Sequence, residues 1–188
     1  IVWITQLLAT SWSAADHEVA RWQFELGAEI DRANSPAALG VTIQVTDAAY
    51  EINVGHTQWA VSRSSGRLTN WLKDGEELLS SEVADNFVRA PLDNDIGTSA
   101  AGRLDPRSWL ARWQGAGLFA LEHRCLNVTL SADRETITTE HGYYANDQLL
   151  LRSHWKLRFT ADEQVSVQIE VEVVQELPPL PRVGISMK

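Results

Sequence analysis

Five histidines, one cysteine and one dense run of carboxylates are the residues through which this sequence could do chemistry. His17, His56, His123, His141 and His154 are far apart in the chain, and none forms the i, i+4 pair with which a helix grips zinc. An isolated histidine is far more often solvated or part of a core than a ligand, so no metal site is expected. Cys125 precedes Leu126 in an apparent strand, the setting of a buried thiol rather than of a thiolate activated at a helix start. Neither a Gly-x-Ser-x-Gly elbow nor a Gly-rich Lys-Ser/Thr phosphate loop occurs.

The densest polar run is Arg89-Ala90-Pro91-Leu92-Asp93-Asn94-Asp95-Ile96-Gly97. Alternating carboxylates before a glycine resemble a calcium loop, but the glycine comes one position early and no terminal Glu fills the bidentate place. Asp93 and Asp95 would have to stand roughly 5 Å apart across a scissile bond to act as a retaining glycosidase pair. On an extended segment, residues two apart point to opposite faces, so the sequence provides no catalytic residue here. The favoured role for Asp93 is structural, since Asp and Asn side chains cap nearby amides and hold irregular loops. The eight tryptophans are unusual beside one methionine. Indole packs well on the apolar face of a pyranose, yet for any single Trp a core position is the favoured reading.

The elements that would position these residues are mostly strands. Residues 1–6 read as a short apolar strand, residues 10–17 as a polar stretch, and residues 19–26 as a second apolar run. Period-two alternation begins at Val41, Ile43 and Val45 and continues through Tyr50, Ile52 and Val54. Trp59 and Val61 precede, and Leu68, Trp71 and Leu72 follow, the turn Ser64-Ser65-Gly66-Arg67; Lys73-Asp74-Gly75-Glu76 makes a second hairpin turn. Residues 89–106 read as a long loop, and long ordered loops are commonly functional. Trp109, Leu110 and Trp113 at helical spacing predict one short helix over 106–116, with Asp105 as N-cap and Pro106 in the first turn. Alternation returns in Leu126, Val128 and Leu130, in 149–159, and in Val165, Val167, Ile169, Val171 and Val173. Leu177-Pro178-Pro179-Leu180-Pro181 is a rigid connector, and residues 183–188 read as the start of another strand. The expected fold class is all-β, a sandwich of antiparallel sheets.

At 188 residues the chain is long enough for a sizeable core. Its 44% hydrophobic and 22% charged residues are ordinary for a globular protein. A net charge of -9 without a basic stripe excludes nucleic acid as a partner and gives no attraction to an anionic membrane. The apolar start is far below the ~20 residues of a spanning helix and lacks a basic leader. One cysteine excludes an internal disulfide, which makes the cytoplasm the default compartment. The abrupt beginning, in mid-strand and without Met, reads as a cut from a longer polypeptide.

Taken with Phe87 and Val88, the run ending at Gly97 resembles the signature of the small-chain domain of glycoside hydrolase family 2 β-galactosidases. Arg103, Asp105-Pro106, Trp109 and Arg112-Trp113 fall where that family has them. Trp59, Ser65-Gly66 and Leu68 resemble its hairpin, residues 15–24 its junction from a preceding immunoglobulin-like domain, and residues 167–171 and Pro181-Arg182-Val183-Gly184 also fit. The resemblance spans nearly the whole chain. It implies a galactose-mutarotase-like supersandwich over 23–188, with residues 1–22 the tail of the preceding β domain and a linker. It implies packing on a separate catalytic barrel whose Glu residues hydrolyse terminal β-galactosides by retaining double displacement, with magnesium and sodium nearby, in a homo-oligomeric parent. None of those catalytic parts is in this sequence, so neither catalytic nor metal-binding residues are expected in it. By the same resemblance Asn94, Asp95, Gly97, Thr98, Ser99, Arg103 and Asp105 belong to a loop that borders the substrate pocket and shifts between open and closed positions, with Gly97 as its hinge. Arg89, Pro91, Asp93 and Pro106 are its structural residues. Gly102 inside the loop departs from the family pattern, and the family's sugar-stacking Trp lies beyond residue 188. Two other function classes compete with this one: a stand-alone carbohydrate-binding module, from the Trp count, and a mutarotase-like epimerase, from fold analogy alone.

Overall fold

A computed structural model describes residues 2–8, 17–24, 40–97 and 105–188. The chain divides into two compact units, Ile1–Pro36 and Ala37–Lys188. In the first, β1 (Val2–Leu8) and β2 (His17–Phe24) form an antiparallel pair with a bulge at Gln6/Leu7. The junction expected after Trp22 falls within β2.

In the second unit, β3 (Thr42–Val45), β4 (Ala49–Val54), β5 (Thr57–Ser62), β6 (Leu68–Lys73) and β7 (Glu76–Glu77) run as an antiparallel meander in that spatial order. Both expected hairpin turns are present, closing β5 on β6 and β6 on β7. After the short strand β8 (Ala84–Asn86) come α1 (Asp93–Ile96), α2 (Trp109–Gly115) and a 3-10 turn at Leu118–Ala120. A second meander comes next: β9 (Glu122–Leu130), β10 (Thr136–Ala145), β11 (Gln148–Thr160) and β12 (Gln164–Val173), while the final strand β13 (Gly184–Ser186) returns to pair with β8.

The core forms because the apolar rows of both meanders face each other. Ile43, Ile52, Val54, Trp59, Val61 and Leu68 from the first pack with Ile137, Trp155, Leu157 and Phe159 from the second. Trp59 sits 5.4 Å from the Phe159 ring, so the face-to-face closure of an all-β sandwich is built on aromatic contacts. A second cluster, Phe87, Trp113, Leu118, Tyr143, Ala145, Leu150 and Leu151, seats α2 and the end of β8 on the second sheet.

Four differences from the sequence-based expectations have physical causes. First, β10 carries few aliphatic residues in Thr136–Ala145 and escapes a hydrophobic-periodicity reading, yet Ile137, Thr139, His141, Tyr143 and Ala145 form its buried row. Second, a β-bulge where the β9–β10 register shifts leaves Leu126 without a partner, so Leu126 is 41% exposed and Cys125 is half-buried. Third, α2 starts at Trp109 with Ser108 as its N-cap: Ser108 Oγ accepts the Ala111 N–H at 3.1 Å, whereas Asp105 caps only the Arg107 amide at 2.8 Å. Fourth, the described residues hold two short α-helices and not one, because residues 93–96 close a helical turn inside the expected loop.

One carboxylate ties β8 to this scaffold. Asp85 Oδ2 accepts from Tyr143 Oη at 2.6 Å and from Ser153 Oγ at 2.7 Å, and Trp155 Nε1 donates to Oδ1 at 3.0 Å. Ser153, Tyr143 and Trp155 are all buried, so removing the carboxylate leaves the Tyr143 and Ser153 hydroxyls without their acceptor, while Trp155 Nε1 keeps Ser153 Oγ. Asp85→Ala is expected to lower stability by about 2–4 kcal/mol, read as a drop in the urea midpoint with the slope unchanged; a shift within the error of wild type would show that the anchor is dispensable.

Candidate functional site

The Arg89–Gly97 run is held by a single guanidinium. Arg89 Nη1 donates to Asp95 Oδ2 at 2.6 Å and Nη2 to Oδ1 at 3.0 Å, the fork geometry that arginine offers a carboxylate. The same side chain donates from Nε to the Pro181 carbonyl at 3.2 Å and lies 5.5 Å over the Trp113 ring. Trp113 Nε1 in turn donates to the Pro179 carbonyl at 2.8 Å. Asp95 also accepts the Leu92 N–H at 2.8 Å, closing the turn of α1 from its own third position. The Arg89 guanidinium first, and the Leu92 N–H second, hold the Asp95 carboxyl below the usual carboxylate range.

Gly97 and Asp105, the described residues on either side of 98–104, meet at this clamp. Gly97 has φ 65°, and a Cβ built there would lie 3.3 Å from the Cβ atoms of both Asp105 and Ser108. A glycine is required on both counts, backbone angle and space. The structure therefore brings together Arg89, Asp95, Gly97 and Asp105. Asp95 is 6% exposed and paired, while Asp93, Asn94 and Pro106 are exposed and Pro91 is half-buried. Thr98, Ser99 and Arg103 lie outside the described residues. Asp93 and Asp95 sit on a helical turn and not on an extended segment. Residues two apart in a helix still leave its axis in different directions, and Asp95 is already committed to Arg89.

A second cluster was invisible in the sequence because only strand register creates it. The β9–β10 pairing sets Cys125 opposite His141 and His123 opposite Tyr143. His123 Nε2 and His141 Nδ1 lie 2.9 Å apart and share one proton, and His141 Nε2 is 2.7 Å from Thr139 Oγ1. His141 is 1% exposed and meets the Trp155 ring edge-on at 5.8 Å. Burial, and then the charge of Arg67, pull both histidines down to about 4. Burial pushes the Cys125 thiol up, which keeps it a neutral packing group. Gly66 makes room for the cluster: a Cβ there would stand 2.9 Å from both Cys125 Sγ and His141 Cε1.

The tryptophans whose side chains are described sort mainly into the core. Trp59, Trp113 and Trp155 are buried and Trp71 packs against the first cluster. Trp109 is 39% exposed, stacked on Trp113 and covered by the Arg112 guanidinium at 4.4 Å.

Residues 53–188 match the family model described as beta galactosidase small chain. This chain belongs to that family. It is 45% identical over 183 residues to a beta-galactosidase of Aeromonas hydrophila, an alignment spanning 96% of this chain and 18% of that protein. It is 37% identical over 185 residues to a beta-galactosidase of Klebsiella pneumoniae, with 97% and 18% covered. To a beta-galactosidase of Vibrio cholerae it is 41% identical over 138 residues, with 72% and 14% covered. The chain thus spans less than a fifth of the length of these relatives. Among the described residues no group of three or more His, Cys, Asp or Glu is arranged to hold an ion. Nor is any helix among them long and apolar enough to cross a membrane.

This geometry has two measurable consequences. Gly97→Ala should cost about 1–2 kcal/mol, since it combines a left-handed φ with contacts to Asp105 and Ser108; an unchanged thermal midpoint would remove the strain argument. The buried histidine pair sets the acid limb of stability. Unfolded histidines bind protons below about 6.5 while the folded pair resists until about 4, so the unfolded state binds more protons throughout that window. Stability is therefore fully present above 6.5 and falls as pH drops towards 4, by roughly 1 kcal/mol per pH unit after allowing for the partial exposure of His123. Urea titrations from pH 7 to 4 on wild type and His141→Gln check this: the variant should show a flatter acid limb, and an identical slope refutes the assignment.

Proposed function

We propose that this chain is the scaffold and pocket-wall portion of a larger β-galactosidase that hydrolyses terminal β-D-galactosides. The observation that carries the reading is the clamp at the base of loop 98–104, in which Arg89, Asp95, Gly97 and Asp105 converge. A loop whose two ends are pinned by a buried ion pair and a glycine of positive φ can change position as a unit while its base stays fixed. Its exposed neighbours Asp93 and Asn94 would then face a pocket completed by another part of the parent. Of the two motif carboxylates, one is paired with Arg89 and the other is exposed. That supports placing the acid/base and nucleophilic carboxylates, and the retaining double displacement they perform, on the catalytic barrel of the parent. Magnesium and sodium would likewise belong to that barrel, and residues 1–22 to the end of the preceding immunoglobulin-like domain. A homo-oligomeric, cytoplasmic parent completes the reading. A free-standing carbohydrate-binding module is less well supported, because its motive was the Trp count and most described tryptophans fill the core.

The isolated chain, given a chromogenic β-galactoside, should show no turnover above buffer. Sustained turnover abolished by Asp93→Ala or Asp95→Ala would sink the proposal. In the full-length parent, Arg89→Lys replaces the fork by a point charge and should lower kcat/KM on the order of ten-fold or more through misplacement of the loop. Parent activity unaffected by Arg89→Lys and by Asp95→Asn would detach the loop from catalysis.

A further inference from the structure

The second sheet ends on two unlike edges. On one side β9 is shielded: the bulge at Leu126 breaks its ladder, and Arg124 lies 4.3 Å over the Tyr144 ring while bonding Asp147 and Glu122. Bulges and charges of this kind keep foreign strands off an edge. On the other side β12 runs for 10 residues against β11 with no shift of register. Its sequence, Gln164 to Val173, holds no proline, glycine, lysine or arginine. Among the described residues β12 has no partner on the side away from β11.

The free backbone groups of that edge follow from the pairing on its other side. The Val174 N–H bonds the Leu150 carbonyl at 2.9 Å, and bonding alternates along an antiparallel strand. Even-numbered residues of β12 are therefore spent on β11, and Val165, Val167, Ile169, Val171 and Val173 hold their N–H and C=O groups outward. The side chains of these five share the inner face. Val167, Ile169, Val171 and Val173 line an apolar trough of about 590 Å³ with Leu180 and Ile185. Val167 is 42% and Val173 50% exposed, and open apolar surface of this extent marks a contact site.

The row is a palindrome, and that decides the occupant. A two-fold axis at Ile169 pairs Ile169 with the partner's Ile169, Val167 with the partner's Val171 and Val165 with the partner's Val173. These are the residues whose backbone groups are free, so about ten ladder bonds close. On the outer face the same axis sets Gln168 opposite the partner's Glu170 and Ser166 opposite the partner's Glu172. Each carboxylate meets a hydrogen-bond donor and none meets a carboxylate. An axis at Val171 would set Glu170 against the partner's Glu172, which like-charge repulsion disfavours. An axis at Val167 would leave Val171 and Val173 beyond the end of the partner's strand.

We infer that the β12 edge is a docking surface for a second copy of this chain, added antiparallel across a two-fold axis at Ile169. The contact is isologous, so it closes at two copies. One strand pair with its apolar row places the interface at the low end of specific contacts, on the order of 1,000 Å², for which a dissociation constant of about 10 µM is expected. The inference goes beyond the proposed function and does not involve residues 98–104, so neither fails with the other.

Sedimentation equilibrium of the chain between about 1 and 200 µM, a range that brackets the expected constant, should show a monomer–dimer equilibrium. In a mixture of labelled and unlabelled chain, isotope-filtered NMR should detect the Gln168 Hα against the partner's Glu170 Hα, since such non-hydrogen-bonded pairs stand about 4.5 Å apart at Cα. Gln168→Glu, a change at an exposed position, sets carboxylate against carboxylate on both sides of the axis and should weaken the dimer roughly 3- to 10-fold. Adding Glu170→Lys converts both repulsions into ion pairs and should restore it, and Val167→Lys should remove it. A chain that stays monomeric at about 200 µM, the result expected if the edge is reserved for a strand from elsewhere in a longer polypeptide, overturns the inference. So do association that grows past two copies, a dimer without the Gln168 contact, a dimer that Gln168→Glu or Val167→Lys leaves unchanged, and failure of the double variant to restore it.

Discussion

The carboxylate of Asp85 is the interaction on which the rest of the second unit hangs. It comes from a strand of three residues, β8, too short to hold itself by ladder bonds, and it accepts three donors from the two central strands of the second sheet. The segment after β8 depends on that attachment. Two residues on, Phe87 inserts edge-to-face on Tyr143 with ring centroids 4.9 Å apart, and two further on Arg89 reaches Asp95, Pro181 and the Trp113 ring. Successive odd residues of an extended segment share one face, so one anchored strand delivers anchor, packing group and clamp in sequence. The position of Gly97, and with it of the loop base, is inherited from Asp85 through rigid, paired side chains.

The expense of such an anchor lies in desolvating a charge, and the structure meets it locally. Tyr143 and Ser153 give hydroxyls and Trp155 an indole N–H to the same carboxylate, and Trp155 Nε1 also donates to Ser153 Oγ at 2.7 Å. Burial first, and the Asp85 charge second, push the Tyr143 phenol up, so it remains a donor across the physiological range. Arg67, on the hairpin turn of the first sheet, supplies a compensating cation and at the same time disfavours protonation of His123 and His141. Burial first, and this arginine from the first sheet second, thus keep the histidines of the second sheet neutral, which makes the polar interior a bridge between the sheets rather than a weak point.

Periodicity and turn chemistry are legible in the sequence; strand register is not. Val41 to Val54, the Ser64-Ser65-Gly66-Arg67 turn and Val165 to Val173 announce their strands because apolar and polar residues alternate without interruption. β10 does not, since its buried row is built from threonine, histidine and tyrosine whose polarity is satisfied across strands. The bulge that leaves Leu126 unpaired reverses the face of Cys125 and cannot be read without the partner strand. At the site, the run Arg89–Gly97 was legible as a unit, but the division of labour within it was not. Two aspartates two residues apart look equivalent in a sequence; which one is buried depends on where Arg89 is already held by Pro181, 92 residues away in the chain.

That long-range hold also explains why the loop base can be rigid without being part of a sheet. Pro179 and Pro181 are confined in backbone angle and have no N–H to satisfy, yet their carbonyls are free to accept, and they take Trp113 Nε1 and Arg89 Nε respectively. The proline connector that the sequence marks as a non-strand is therefore a pair of fixed acceptors. Through them the second core cluster, the helix α2 and the Arg89–Asp95 pair are tied together, and Gly97 and Asp105, which flank residues 98–104, sit beside that assembly. The two ends are unequal: Gly97 carries the positive φ, while Asp105 spends its side chain on the Arg107 amide. The left-handed backbone angle thus lies on one side of residues 98–104 and the side-chain cap on the other.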